Sequence, residues 1–242
     1  KYAATPRMAN YSLAVLSVFL NWCEEMGCRD ENSNPCFKIK RFPEVERQRY
    51  LTDQEVIAIG KALRELEQKG DISIYAGAAI RLLVLSGARK NEILALKHEY
   101  INYQQKIAYL PDSKTGQKKI KLNGPALNII KSLPRHIKNE YVIVGRRKGQ
   151  PLVNISKPWM LICEEANIKD CRIHDLRHSF ASILAENEAD LLMIGDLFGH
   201  MSPKTTKRYV HLTRSKDRVT SVNSAAGEHI DTLMNSPTSE NT

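Results

Sequence analysis

No apolar run in this chain of 242 residues is long enough to cross a bilayer, and no leader of basic then apolar residues opens it. Cysteine is sparse. Cys23, Cys28, Cys36, Cys163 and Cys171 show none of the short paired spacings of a zinc site or a disulfide scaffold, and their odd number suits a reducing compartment. Cys23 falls on an apolar helical face, where packing accounts for it better than metal binding. Low-complexity sequence is confined to the ends. The first residue is Lys1 and the chain runs directly into helical pattern, so a piece of a longer protein is expected.

What is present in excess is positive charge. The 36 Lys and Arg outnumber the 27 Asp and Glu, for a formal +9, the sign expected of a surface that neutralises phosphates. The length allows one domain or two unequal ones.

Hydrophobic spacing orders the chain. Residues 5 to 26 read as an amphipathic helix with Thr5 as cap, Pro6 in the first turn, Gly27 at the end, and Leu13, Leu16, Phe19, Leu20 and Cys23 as core candidates. The basic stretch "FKIKRFPEVERQR", residues 37 to 49, has little periodicity and reads as an exposed linker, with a boundary near residue 48. Forty residues are too few for an independent core. Thr52 and Glu55 form a capping box for a helix ending near Gly70. A buried helix then runs to Ser86, turns at Gly87 and restarts near Lys90. Alternating segments around "KIAYL" and "KKIKL" predict a hairpin whose tip carries Lys114 and Gly116. Further helices are expected over 125 to 133, from Ser156, and over about 174 to 187, 190 to 198 and 203 to 211, with a short strand at "YVIVG". The fold class is mainly α with a small antiparallel β-sheet.

The stretch "RIHDLRHSF", residues 172 to 180, sets two imidazoles and a guanidinium on a helix whose buried face would be Leu176, Phe180, Ile183 and Leu184. Its residues allow three readings. It could be a variant zinc helix, a pair of anion-binding groups one turn apart in His174 and Arg177, or a helix with satisfied surface histidines. A permanent cation at Arg177 beside a metal, and the lack of an evident third ligand, weigh against zinc. Arg89 sits in the turn "SGARKNEI" after the buried helix, where a guanidinium commonly serves an anion. His200 follows Phe198 and Gly199, and Tyr209 comes nine residues later.

Taken together, "SGARKNEI", "SKTG", "HDLRH", "FGH" and the tyrosine nine positions on, in this order over residues 50 to 213, resemble the catalytic set of the tyrosine recombinases, the phage integrase family. Phe198 stands where the family commonly has leucine. The resemblance implies a catalytic domain over 50–213, preceded by the carboxy-terminal part of a helical core-binding domain at 1–36 and a basic interdomain linker at 37–49. Residues 214–242 would form an exchange segment and disordered tail.

The resemblance also implies roles. Tyr209 is the nucleophile, His174 its base, Arg89 and Arg177 the guanidinium clamp on the scissile phosphate, His200 a hydrogen-bond donor to it, and Lys114 the general acid. Glu92 would buttress Arg89 and Asp175 would orient its neighbours. Lys38, Lys40, Arg41, Lys90, Lys118, Lys119, Arg146, Arg147, Lys148, Lys204 and Lys207 are candidate phosphate contacts. No metal, ATP or other cofactor is implied. The implied partners are double-stranded DNA, four copies of the chain on paired sites, and accessory DNA-bending or excision factors, in the cytoplasm with the nucleoid and away from membranes. Site-specific recombination by an integrase is the leading expectation. Chromosome-dimer resolution, a type IB topoisomerase-like activity and an inactive DNA-binding remnant are the alternatives.

Overall fold

The computed structural model describes residues 5–44, 49–113, 116–186 and 191–198. The chain divides into two compact units, Lys1–Gln48 and Arg49–Thr242.

In the first unit, helix α1 (Pro6–Glu25) begins with proline in its first turn, as expected, but Thr5 makes no side-chain cap. The expected core of α1 is not buried. Leu16 and Phe19 are half exposed, Leu13, Leu20 and Cys23 are intermediate, and Asn10 is the buried residue of the helix. A unit this small has too little chain to cover an apolar stripe. Two side-chain amides hold it instead. Asn10 donates to the carbonyl of Phe42 and accepts from the Phe42 amide, both at 2.9 Å, imitating a backbone ladder. Asn34 accepts from Cys36 at the start of a short 3₁₀ turn, Pro35–Lys38, and donates to the Ser17 carbonyl at 3.0 Å.

The second unit is mainly helical with one small sheet. Helix α2 (Asp53–Lys69) opens on the Thr52–Glu55 capping box and ends at Gly70 in the left-handed conformation. Helix α3 (Ile74–Ser86) is apolar on nearly every face and is the centre of the core, with Ala79, Ile80 and Leu82 fully buried. A helix without a polar face needs neighbours all round. It packs against α5 (Gly124–Ser132), α6 (Ser156–Glu165) and α7 (Ile173–Glu186), and α2 meets α6. Helix α4 (Lys90–Leu94) is short, and α8 (Leu191–Phe198) packs on α7. Asn123 joins two elements: it accepts from the Ala126 amide as cap of α5 and donates to the Leu85 carbonyl at the end of α3, at 2.6 Å.

Strands β1 (Ile101–Asn102), β2 (Ile107–Ser113) and β3 (Gly116–Lys121) form an antiparallel sheet in sequence order. Ala108 faces Ile120 and Leu110 faces Lys118. Between Leu110 and Ser113 the register shifts, so that β2 carries one residue more than β3. The strand expected at "YVIVG" is replaced by single bridges, Lys97 with Tyr141 and Val144 with Pro151. Val142 donates to Leu96 while Leu152 donates to Ile143, so the segment pairs with two different stretches and neither ladder extends.

Among the described residues no helix is long and apolar enough to cross a membrane. The helix expected over 203 to 211 and the tail after it lie outside the described residues.

Candidate active site

The turn between α3 and α4 is built by local chemistry. Ser86 donates to the Leu82 carbonyl at 2.6 Å and accepts from the Ala88 amide, and Gly87 ends α3 at φ +60°, its amide bonded to Leu83. A Cβ at Gly87 would stand 2.5 Å from the Phe180 ring and 2.7 Å from the Phe198 ring, so this glycine answers both to its backbone angle and to the close approach of two aromatics. The chain then reaches Arg89, the residue preceding α4.

Arg89 and Glu92 close on each other. The Arg89 amide donates to Glu92 Oε2 at 2.9 Å, and its Nη1 to Glu92 Oε1 at 3.1 Å. The Arg89 side chain is 48% exposed and that of Glu92 only 13%, so the acid sits behind the arginine. A second cation reaches the same oxygen: Lys118 Nζ from β3 donates to Glu92 Oε1. Burial by itself would push the Glu92 carboxyl up, but the Lys118 ammonium and the Arg89 amide outweigh it, and the group is held below its ordinary value. Lys118 is lowered too, first by burial and further by the charges of Arg89 and Arg177, against the pull of Glu92. The partners respond unequally because the carboxylate has several donors, whereas the ammonium faces one carboxylate and two cations.

Arg177 enters from α7. It is 5% exposed, and its fork donates from Nη1 to the Gly87 carbonyl at 2.6 Å and from Nη2 to the Phe198 carbonyl at 3.0 Å. The guanidinium carbon lies 4.1 Å from the centre of the Phe198 ring. A cation at the last carbonyl of α8 is also favoured by the helix dipole. The buried stripe of α7 therefore differs from the expected apolar one. Leu176 is buried, but Ile183 is exposed and Phe180 and Leu184 are intermediate; Arg177, Ala181 and Ala185 take the inner positions. Ala181 and Ala185 cluster with Ile194 and Phe198 of α8, while Leu176 joins the core around α3, and the fork of Arg177 fixes the helix's rotation.

Asp175 is buried at the start of α7 and accepts from the Arg172 amide at 2.8 Å, a helix-capping bond. Ser179 donates to the Asp175 carbonyl and accepts from the Leu51 amide, both at 2.8 Å, pinning the entry to α2 against α7. His174 is exposed and meets His178 edge to face, with ring centres 4.9 Å apart. Lys114, His200, Tyr209, Lys204 and Lys207 lie outside the described residues. Lys38, Lys40, Arg41, Lys119, Arg146, Arg147 and Lys148 are exposed, and Lys90 is intermediate. Sequence reasoning places Gly87 in a turn but does not find the two rings against it, the role of Ser179, or the inward turn of Lys118. For Lys118 the alternation along β3 carries a signal, since Ile120 and Leu122 on the same parity are buried. Among the described residues no group of three or more His, Cys, Asp or Glu side chains is arranged to hold a metal ion.

The model of the phage integrase family matches residues 49–216, more than half of the chain. The chain belongs to the phage integrase family. Among curated members of related sequence, the shufflon-specific DNA recombinase of Escherichia coli is 29% identical over 217 residues, 86% of this chain and 52% of that one. Tyrosine recombinase XerA of Pyrococcus furiosus is 32% identical over 165 residues, 63% of this chain and 58% of its own. This integrase-family chain thus spans little more than half the length of those two relatives. Its fold is that of the XerH site-specific recombinase solved on its difH substrate before cleavage, with a TM-score of 0.63 and 18% identity over 88% of this chain and 63% of that one.

Proposed function

We propose that the chain is the DNA-cleaving part of a site-specific recombinase of the integrase type. The observation that carries the reading is the tie between Arg177 and the turn that presents Arg89: a family-matched unit closes the Arg89 guanidinium and the Lys118 ammonium on one carboxylate and bonds a second guanidinium to the turn that carries the first. Such a cluster has a surplus of positive charge and suits an anion that gains charge during reaction, because fixed donors stabilise the transition state more than the ground state.

In this reading the oxygen of Tyr209 attacks the scissile phosphorus of a DNA strand and His174 takes the phenol proton. Holding a tyrosine oxygen as phenolate at neutral pH costs roughly 4 kcal/mol, which a positioned acceptor reduces. Arg89 and Arg177 neutralise the pentavalent centre, with His200 donating to a nonbridging oxygen. The bond from phosphorus to the 5′ oxygen breaks as Lys114 gives that oxygen a proton. The product is a 3′-phosphotyrosyl link and a free 5′ hydroxyl. A hydroxyl from a partner strand reverses the step, so neither ATP nor a metal is consumed. Glu92 buttresses Arg89, while Asp175 acts on its own helix start.

Residues 1–36 would be the end of a core-binding domain and 37–49 the linker along the duplex, with Lys38, Lys40, Arg41, Lys90, Lys119, Arg146, Arg147, Lys148, Lys204 and Lys207 against phosphates. Four copies would act on two DNA sites, with accessory DNA-bending or excision factors, and an exchange segment within residues 214–242, at 215 to 234, would pass between copies.

The test is covalent capture. The chain is incubated in EDTA, without ATP, with a pool of nicked duplexes of randomised sequence from which the released strand diffuses away. A protein–DNA adduct that survives detergent and is lost in Tyr209→Phe is expected. Absence of any adduct across the pool overturns the reading, as does an adduct retained by Tyr209→Phe.

A further inference from the structure

On β3 the residues of one parity turn inward. Ile120 is 3% exposed and Leu122, just past the strand, 2%, and Lys118, two positions before Ile120, stands opposite the buried Leu110. The Lys118 side chain is 16% exposed and its ammonium ends on Glu92 Oε1, the oxygen that also accepts from Arg89 Nη1. Exposed lysines of the same hairpin behave differently: Lys119 lies over the Tyr109 ring at 5.5 Å. A long side chain placed inward and ended on a mostly buried acid is poorly suited to be a groove contact.

We propose that Lys118 is a positioning residue of the cleavage site: its ammonium holds the Glu92 carboxylate, and through it the Arg89 guanidinium, and offsets the carboxylate's charge so that the arginines keep their pull on a phosphate. With Glu92 and Arg89 alone the pair is neutral and an incoming phosphate meets little field. With Lys118 added the trio carries one net positive charge, and Arg177 brings a second. Lys118 also competes for Oε1, which limits how firmly the carboxylate can draw Arg89 back from substrate. The lowered proton affinity of the ammonium, caused by burial and by Arg89 and Arg177 and opposed by Glu92, agrees with a cation held inside a positive cluster.

The inference rests on the DNA-cleavage reading above, and the experiment separates the two. Covalent capture on the nicked pool is measured for the unaltered chain, Lys118→Arg, Lys118→Met, Glu92→Gln and the Lys118→Met/Glu92→Gln double variant, with urea midpoints recorded for each. Lys118→Met should lower the initial rate of adduct formation about tenfold or more and raise the half-saturating DNA concentration, in the range seen when outer partners of a reacting group are removed. Lys118→Arg should recover most of the rate, because it keeps a cation on the carboxylate. In the Glu92→Gln background, replacing Lys118 should change the rate less than about threefold. A merely structural lysine would move the midpoints and leave that ordering absent. The inference is overturned if Lys118→Met matches the unaltered chain, or if replacing Lys118 costs as much rate in the Glu92→Gln background as in the unaltered chain. Should the unaltered chain form no adduct, the cleavage reading falls, and Lys118 is judged on noncovalent binding of a short duplex. There the same order of affinities supports its role and equal affinities overturn it.

Discussion

The guanidinium of Arg177 donates to the carbonyl oxygen of Gly87 at 2.6 Å, joining residues 90 positions apart in the chain. That carbonyl is available because Gly87 adopts φ +60° and because it has no side chain to collide with Phe180 and Phe198. Gly87→Ala must strain the turn and displace two rings, so a loss of about 2 kcal/mol or more is expected in urea unfolding. An unchanged midpoint would contradict the geometry.

Phe198 is 1% exposed and covers the Arg177 guanidinium. Phe198→Leu keeps the apolar volume approximately but removes the ring face, so about 1 kcal/mol of stability should be lost. Thermal unfolding of Phe198→Leu, of Arg177→Met and of the two combined separates the cation–ring coupling from packing. A coupling of zero would count against it.

Arg49 and Glu55 form a forked ion pair that also serves the cap of α2. The Arg49 hydrogen bonds are the main reason that the Glu55 carboxyl is held below its ordinary value. A carboxyl lowered by folding contributes stability that is complete above its unfolded value and is lost as pH falls through the folded one. Stability should therefore decline below about pH 4, and in Glu55→Gln that decline should be shallower. The side chains remain 22% and 23% exposed, so the difference should be about 1 kcal/mol or less. Urea midpoints measured across the acid range decide this, and identical acid limbs would refute it.

Burial, with the Asp175 charge behind it, pushes the Cys171 thiol up to about 12, and burial pushes Cys163 up to about 11. Both should stay protonated near neutral pH and resist iodoacetamide, since the thiolate is the reactive form. Cys28 is exposed and should label first. Mass spectrometry of the partly alkylated native protein checks the order, and equal labelling of Cys28 and Cys171 would rule it out.

Arg146, Arg147 and Lys148 form an exposed basic run. If they meet phosphates, replacing all three with alanine should weaken duplex binding and reduce the slope of log affinity against log salt by about 0.9 for each phosphate no longer neutralised. An unaltered slope would remove them from the interface.

Much of this architecture is legible in the chain itself. The Thr52–Glu55 cap, the end of α3 at Gly87, the hairpin and the order of the motif residues all depend on neighbours within a few positions. What is not legible involves partners far away. Lys118 and Glu92 are 26 positions apart, and periodicity tells which face a residue occupies without telling what meets it there. The rotation of α7 departs from expectation for the same reason. Its apolar residues suggest one stripe, but the two carbonyls that accept from Arg177 come from other elements and turn a charged residue inward. In α1 the spacing is helical and the helix forms, yet periodicity does not report whether enough chain is present to cover the stripe.

The extra residue on β2 between Leu110 and Ser113 has a bearing on how such hairpins diversify. Ladder pairs nearer the base, Ala108 with Ile120 and Leu110 with Lys118, are locked by the core, and the irregularity absorbs a change of phase before the tip is reached. A change in the length of the loop beyond Ser113 should therefore leave Lys118 in its seat and the charges beneath it unaltered.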